Sequence, residues 1–225
     1  MRTVIFDLDG TLADTSGDLI AAANVCFRKM GAGDVLCPRR DAGVALRGGR
    51  AMLSHGLTRL GRAGPADLID QYYPVLLEAY ARDIDRHTRL YPGAMAAVEQ
   101  LRQDGFAVGI CTNKPEALAE TLLTRLGVRS AFAALLGADS LAVRKPDPEH
   151  LFETARRAGG DPARCLLVGD SDTDRNTARA AGAPCILVTF GPSGADMAAL
   201  EPEALLDDYR ALPALAAQLL GADAP

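Results

Sequence analysis

Four short apolar runs, at residues 4–6, 106–111, 165–168 and 185–188, limit this chain more than any other feature. They are apolar without strict alternation, the mark of strands buried on both faces. Helix-length patterns follow over residues 93–103, 115–126, 148–158 and 173–181. Strand and helix in alternation predict an α/β fold, a doubly wound parallel sheet forming a Rossmann-like core. Such sheets place their chemistry at the carboxyl ends of the strands.

The first run breaks this rhythm, because residues 14–90 contain no comparable strand. They carry amphipathic helical stretches, at 19–30 and 68–81, separated by Gly and Pro near 31–38, 48–49 and 61–65. We expect an inserted helical cap domain over 14–90 and a core built from 1–13 and 91–225. Tyr91-Pro92-Gly93 suits the return, with Pro in a first helical turn. The Ala- and Leu-rich segment from Pro213 reads as a last helix.

A net charge of −5 leaves no basic footprint for nucleic acid or an anionic membrane. No uncharged apolar run approaches the ~20 residues of a membrane span. The five cysteines lack any CxxC spacing and read as small hydrophobes in a reducing compartment. The expectation is a cytoplasmic protein, monomer or homodimer, with no nucleic acid or membrane partner.

The strand ends carry the chemistry. The first run stops at Asp7 and Asp9, the second at Thr112-Asn113, and the third at Gly169-Asp170-Ser171-Asp172-Thr173-Asp174. Lys145 lies in Arg-Lys-Pro-Asp-Pro between the second and third. Singly, each has an ordinary role open to it. Asp-Gly favours a tight turn, Thr112 or Asn113 could cap a helix before Pro115, Lys145 could be solvated, and Asp172 and Asp174 suit a helix start. Together, at successive ends of one parallel sheet, they gather carboxylates, a hydroxyl, an amide and an ammonium at one edge. Carboxylates so crowded repel unless a cation sits among them, and hard oxygen ligands favour Mg²⁺. His55 and His87 suggest no metal pair, and His150 reads as a helix-surface residue.

The segments FDLDGT, CTN, RKPDP and VGDSDTD resemble the four motifs of the haloacid dehalogenase superfamily of phosphohydrolases. The likeness spans Thr3 to about Val188. The opening RTVIFDLDGTLADTSGDL, the helical insertion and the GPSG at 191–194 look most like phosphoglycolate phosphatases. A dehalogenase would lack an aspartate at position 9. A phosphonatase would carry another residue there and a cap lysine, whereas Lys29 is the insertion's only lysine and sits in an ordinary amphipathic helix.

The resemblance implies Mg²⁺-dependent hydrolysis of a small phosphate monoester, most like 2-phosphoglycolate. It implies Asp7 as the nucleophile forming an aspartyl-phosphate, Asp9 as acid and then base, and Lys145 as a charge-balancing residue. Mg²⁺ would be held by Asp7, the Asp9 carbonyl and Asp170, with Asp174 orienting Lys145 or a metal-bound water. Thr112 and Asn113 would hold the phosphoryl group. The inserted domain should close over the site and offer cations to a leaving-group carboxylate, with Arg47 and Arg50 in Leu-Arg-Gly-Gly-Arg as candidates; exposed arginines at a helix start are the ordinary reading. A sugar-phosphate mutase, a pyrophosphatase or a broad-range phosphatase would use the same scaffold. A signalling receiver domain shares the strand-end Asp, Thr and Lys, but the insertion and Asp9 argue against it.

Overall fold

The computed structural model describes residues 1–62 and 66–221. In chain order its elements are β1 (Thr3–Phe6), β2 (Ala13–Asp14), α1 (Ser16–Lys29), α2 (Pro38–Ala45), α3 (Gly49–Arg59), α4 (Ala66–Arg82), β3 (Arg89–Leu90), α5 (Ala94–Gln103) and β4 (Ala107–Cys111). They continue as α6 (Glu116–Arg125), β5 (Ala134–Leu136), α7 (Pro148–Arg157), β6 (Cys165–Gly169), α8 (Asp172–Ala181), β7 (Cys185–Val188), β8 (Ala204–Leu206) and α9 (Leu212–Leu220). The chain divides into two compact units, Met1–Ala13 with Leu90–Pro225, and Asp14–Arg89.

The first unit is built on a six-stranded sheet in the order β5-β4-β1-β6-β7-β8, and every pairing is parallel. β1 lies inside the sheet, with Thr3 opposite Ala107 on one side and Cys165 on the other. All four of its residues are buried, which is why it reads as an unbroken apolar run. From β1 the chain builds outward through β4 and β5, then crosses to β6 and builds the other way. The strand order therefore reverses between β1 and β6, and a crevice opens there beyond their carboxyl ends.

Local sequence sets the helices that bound this crevice. Asp147 caps α7 by accepting from the Glu149 N–H (2.9 Å), with Pro148 at the first position. Ser171 caps α8 by accepting from the Asp174 N–H (3.3 Å), and α8 ends on Gly182 at φ 63°. Leu151 and Ala155 of α7 and Ala178 of α8 pack with Ile5, Cys111, Cys165, Leu167 and Cys185 in one core cluster. The sequence signal missed β5 and β8, each a three-residue Ala-Leu-Leu that favours helix as much as strand.

The second unit is helical. α1 to α4 bury Ile20, Phe27, Met52, Leu53, Leu57, Leu76 and Tyr80. Asp41, 1% exposed, accepts both terminal nitrogens of Arg59 at 2.7 and 2.6 Å and the Cys37 N–H at 2.8 Å. That fork of charged bonds holds the Asp41 carboxyl well below the usual carboxylate range. Asp18 accepts the N–H groups of His87 and Thr88 and the Thr88 hydroxyl, tying the end of the unit to its first helix. The Gly/Pro break expected over 61–65 lies in part outside the described residues.

His150 is a correction to the sequence reading. It lies on the inner face of α7, fully buried, with Nε2 3.0 Å from the Gly137 carbonyl and Nδ1 3.4 Å from Cys111 Sγ. Burial, aided by the charge of Lys145, lowers its pKa to about 4. Because the folded value lies below the unfolded value near 6.5, the unfolded chain binds the extra proton between those limits. The contribution of His150 to stability should be full above pH 6.5 and fall by about 3 kcal/mol as the pH drops to about 4, opposed over the same window by the raised carboxyls Asp7 and Asp170. Urea titrations across that window should show the native protein losing about 3 kcal/mol relative to His150→Gln, the difference in which the carboxyl contributions cancel.

Candidate active site

The turn Asp7-Leu8-Asp9-Gly10 is both a turn and a site. Asp7 N–H still donates to the Val168 carbonyl (2.9 Å), so its backbone continues the β1–β6 ladder. Gly10, at φ 82°, then allows the chain to fold back, and its N–H reaches the Ala13 carbonyl at 2.9 Å. The Leu8 carbonyl accepts from Leu12 and Ala13 inside the loop. This backbone closure leaves the Asp7 and Asp9 side chains 13% and 15% exposed, open to the crevice yet largely desolvated.

Lys145 is almost fully buried, and its Nζ lies 2.7 Å from Asp174 Oδ1 and 3.1 Å from Asp7 Oδ1. Asp174, with no exposed side-chain surface, also accepts the Ser171 hydroxyl (2.6 Å) and the Asp170 N–H (3.2 Å). Asp170 in turn accepts the Thr11 hydroxyl at 3.1 Å, and the Thr11 carbonyl accepts the Tyr209 hydroxyl at 2.7 Å. Three of the four segments, those of Asp7, Lys145 and Asp170–Asp174, therefore meet through hydrogen bonds and ion pairs, not merely in sequence order.

Thr112 is buried after β4, its N–H bonded to the Leu136 carbonyl (3.0 Å) and its hydroxyl accepting from the Lys114 N–H (3.2 Å). Asn113 is exposed, and its side-chain amide donates to the Lys145 carbonyl at 3.0 Å. Asp172 is exposed in the first turn of α8, where Ser171 provides the cap. Arg47 and Arg50 belong to the helical unit. Arg50 pairs with Asp70 at 2.6 Å, both side chains exposed, and lies 4.8 Å from the ring centroid of the half-buried Tyr73.

Lys114 escaped the sequence reading. Its Nζ lies 2.7 and 2.8 Å from the two carboxylate oxygens of Asp9, with the side chain 3% exposed. By sequence it is an ordinary lysine before a helix. A usable signal was scarcity: Lys29, Lys114 and Lys145 are the chain's only lysines, and two of the three follow strand ends.

Asp7, Asp170 and Asp174 each offer a carboxylate oxygen within 4.8 Å of the others. These three carboxylates face the single ammonium of Lys145, whereas Asp9 is balanced by Lys114. Burial is the largest cause raising the Asp7 carboxyl to about 6, with Asp174 and Asp9 adding to it and Lys145 opposing it. Burial, Asp174 and Asp7 likewise push Asp170 well above the usual range. Burial opposes the charge of Lys145, but Asp174 and Asp7 outweigh it and hold the ammonium more tightly than usual. A set of hard oxygen donors short of positive charge fits a small divalent cation.

Residues 1–182 match the family model described as haloacid dehalogenase-like hydrolase. The chain is 40% identical over 211 residues to the phosphoglycolate phosphatase of Mesorhizobium japonicum, covering 93% of this chain and 92% of that one. It is 38% identical over 221 residues to that of Rhodospirillum rubrum, covering 94% and 89%. Among solved structures, a predicted phosphoglycolate phosphatase from Haemophilus somnus superposes with a TM-score of 0.82 at 23% identity, covering 96% of this chain and 97% of that one; at this identity the likeness shows the fold. The chain belongs to the haloacid dehalogenase-like hydrolase family, and it is an enzyme. Among the described residues no helix is long and apolar enough to cross a membrane.

Gly169 ends β6 where a Cβ would lie 2.3 Å from Asp174 Cγ. Gly169→Ala must therefore push Asp174 away from Lys145. Displacements of this size cost about 10²-fold in turnover. Steady-state kinetics should show that loss in kcat, with circular dichroism of the variant unchanged.

Proposed function

We propose that this hydrolase is a phosphoric monoester hydrolase acting on 2-phosphoglycolate, with Mg²⁺ as its ion. The observation that carries the reading is the pairing of Asp7 and Asp9 at one strand end, each with its own ammonium partner. In this reading one carboxylate attacks and the second, two residues on, handles a proton. The names of the curated relatives support the substrate.

An Asp7 carboxylate oxygen attacks phosphorus, the P–O bond to the leaving group breaks, and an aspartyl-phosphate forms. Lys145 opposes the effect of burial on the Asp7 carboxyl and, with the Leu8 N–H, meets one of its oxygens, which leaves the second for attack. Asp9, in its protonated form, gives its proton to the departing alkoxide and, as the carboxylate paired with Lys114, then takes one from the water that hydrolyses the intermediate, which restores the protonated form. The Thr112 hydroxyl and the backbone at Asn113 bind phosphoryl oxygens. Asp7, the Asp9 carbonyl and Asp170 would hold Mg²⁺, which when bound would supply Lewis-acid charge to the phosphoryl group. Asp174 stays with Lys145, Ser171 and the Asp170 N–H and positions them. The helical unit acts as a cap that excludes water, and its Arg47 and Arg50 take the glycolate carboxylate. Arg50 has to exchange Asp70 for the substrate to do so.

The test is phosphate release with Mg²⁺ from 2-phosphoglycolate, glycerol phosphate, glucose 1- and 6-phosphate and pyrophosphate. We expect 2-phosphoglycolate to be strongly preferred, with chelation abolishing turnover and Asp7→Asn lowering it by about 10⁴-fold or more. Asp7-dependent release from the other esters instead would keep the mechanism and overturn the substrate. Arg50→Ala should lose activity on 2-phosphoglycolate but not on glycerol phosphate, and equal kinetics on both would remove Arg50 from recognition.

A further inference from the structure

Lys114 sits on backbone that is fixed on both sides. Its N–H donates to the Thr112 hydroxyl (3.2 Å), its carbonyl accepts from Ala138 (2.9 Å), and Pro115 and α6 follow directly. Gly137 packs so closely that a Cβ there would lie 2.7 Å from the Lys114 carbonyl oxygen and 2.3 Å from the Glu116 nitrogen. The lysine stem therefore rises from an immobile base, and its buried ammonium meets both oxygens of Asp9. An aspartate on a tight loop has two side-chain torsions to settle, and its rotamers differ by more than a reaction tolerates. A charged bond to each carboxylate oxygen selects one of them.

We propose that Lys114 is a positioning residue for Asp9, fixing the carboxylate beside Asp7 and acting through Asp9 rather than on the phosphoryl group. The proposal rests on the reading of Asp9 as the proton-handling group. It separates the two buried lysines by role: Lys145 serves the attacking carboxylate and Lys114 the second one.

A double-mutant cycle on the full chain tests this, with 2-phosphoglycolate and Mg²⁺ as the probe. Lys114→Met should lower kcat by about 10²-fold with little change in KM, since geometry and not binding is lost. In an Asp9→Asn background the same change should cost no more than about twofold, because its target is already gone. Lys114→Arg, which keeps a cation in reach, should recover part of the loss. If the two losses multiply in full, or if Lys114→Met leaves kcat intact while Asp9→Asn does not, the positioning role falls and the reading of Asp9 stands. If Asp9→Asn itself retains full turnover, both fall together. Should Lys114→Met fail to fold, Lys114→Gln and Lys114→Arg carry the same cycle, with thermal melts checking each variant.

Discussion

The buried ammonium of Lys145 between Asp7 and Asp174 is the contact on which this site depends. Placing two carboxylates in a desolvated crevice is costly, and the cost falls only if a cation is held within bonding distance of both. Lys145 meets that condition at 3.1 and 2.7 Å with almost no exposed surface. Because Asp174 also accepts Ser171 and the Asp170 N–H, the same ion pair fixes the end of β6 and the start of α8. A removed lysine would leave uncompensated charge at the centre of the sheet edge.

The sheet topology explains why these residues meet at all. β1 and β6 are hydrogen-bonded neighbours whose outgoing connections run in opposite directions, so the loops after them separate and leave the crevice open. Asp7 follows one strand and Asp170 the other. Thr11 bridges the two loops by donating to Asp170, and the Tyr209 hydroxyl steadies the Thr11 carbonyl from near the start of α9. Distant parts of the chain thus converge on a few oxygen atoms.

Much of this was legible because burial on both faces of a parallel sheet forces unbroken apolar runs, and chemistry follows where those runs stop. That logic gave the α/β core and brought Asp7, Asp9, Thr112, Lys145, Asp170 and Asp174 to one edge. It failed where local sequence is ambiguous. Ala-Leu-Leu at β5 and β8 is as good a helix as a strand. His150 read as surface because histidine is intermediate in burial preference, and only the packing of α7 against β4 and the Gly137 carbonyl decides its side. Lys114 was invisible because its partner, Asp9, lies more than a hundred residues away in sequence, and no local pattern marks a lysine as buried.

Charge at the site imposes a last constraint. Asp7, Asp9, Asp170 and Asp174 bring four carboxylates, and Lys114 and Lys145 bring two ammonium groups. With every group ionised the cluster carries two excess negative charges in a region of low dielectric, where like charges interact strongly. A phosphate monoester brings still more negative charge, so these side chains alone would repel it. The raised Asp7 and Asp170 carboxyls express the same shortage from the protein's side. One divalent cation among the oxygens would remove the excess and favour the ionised form of Asp7. On this argument the proposed ion is part of the charge balance that lets substrate enter, before any role it has in stabilising the transition state.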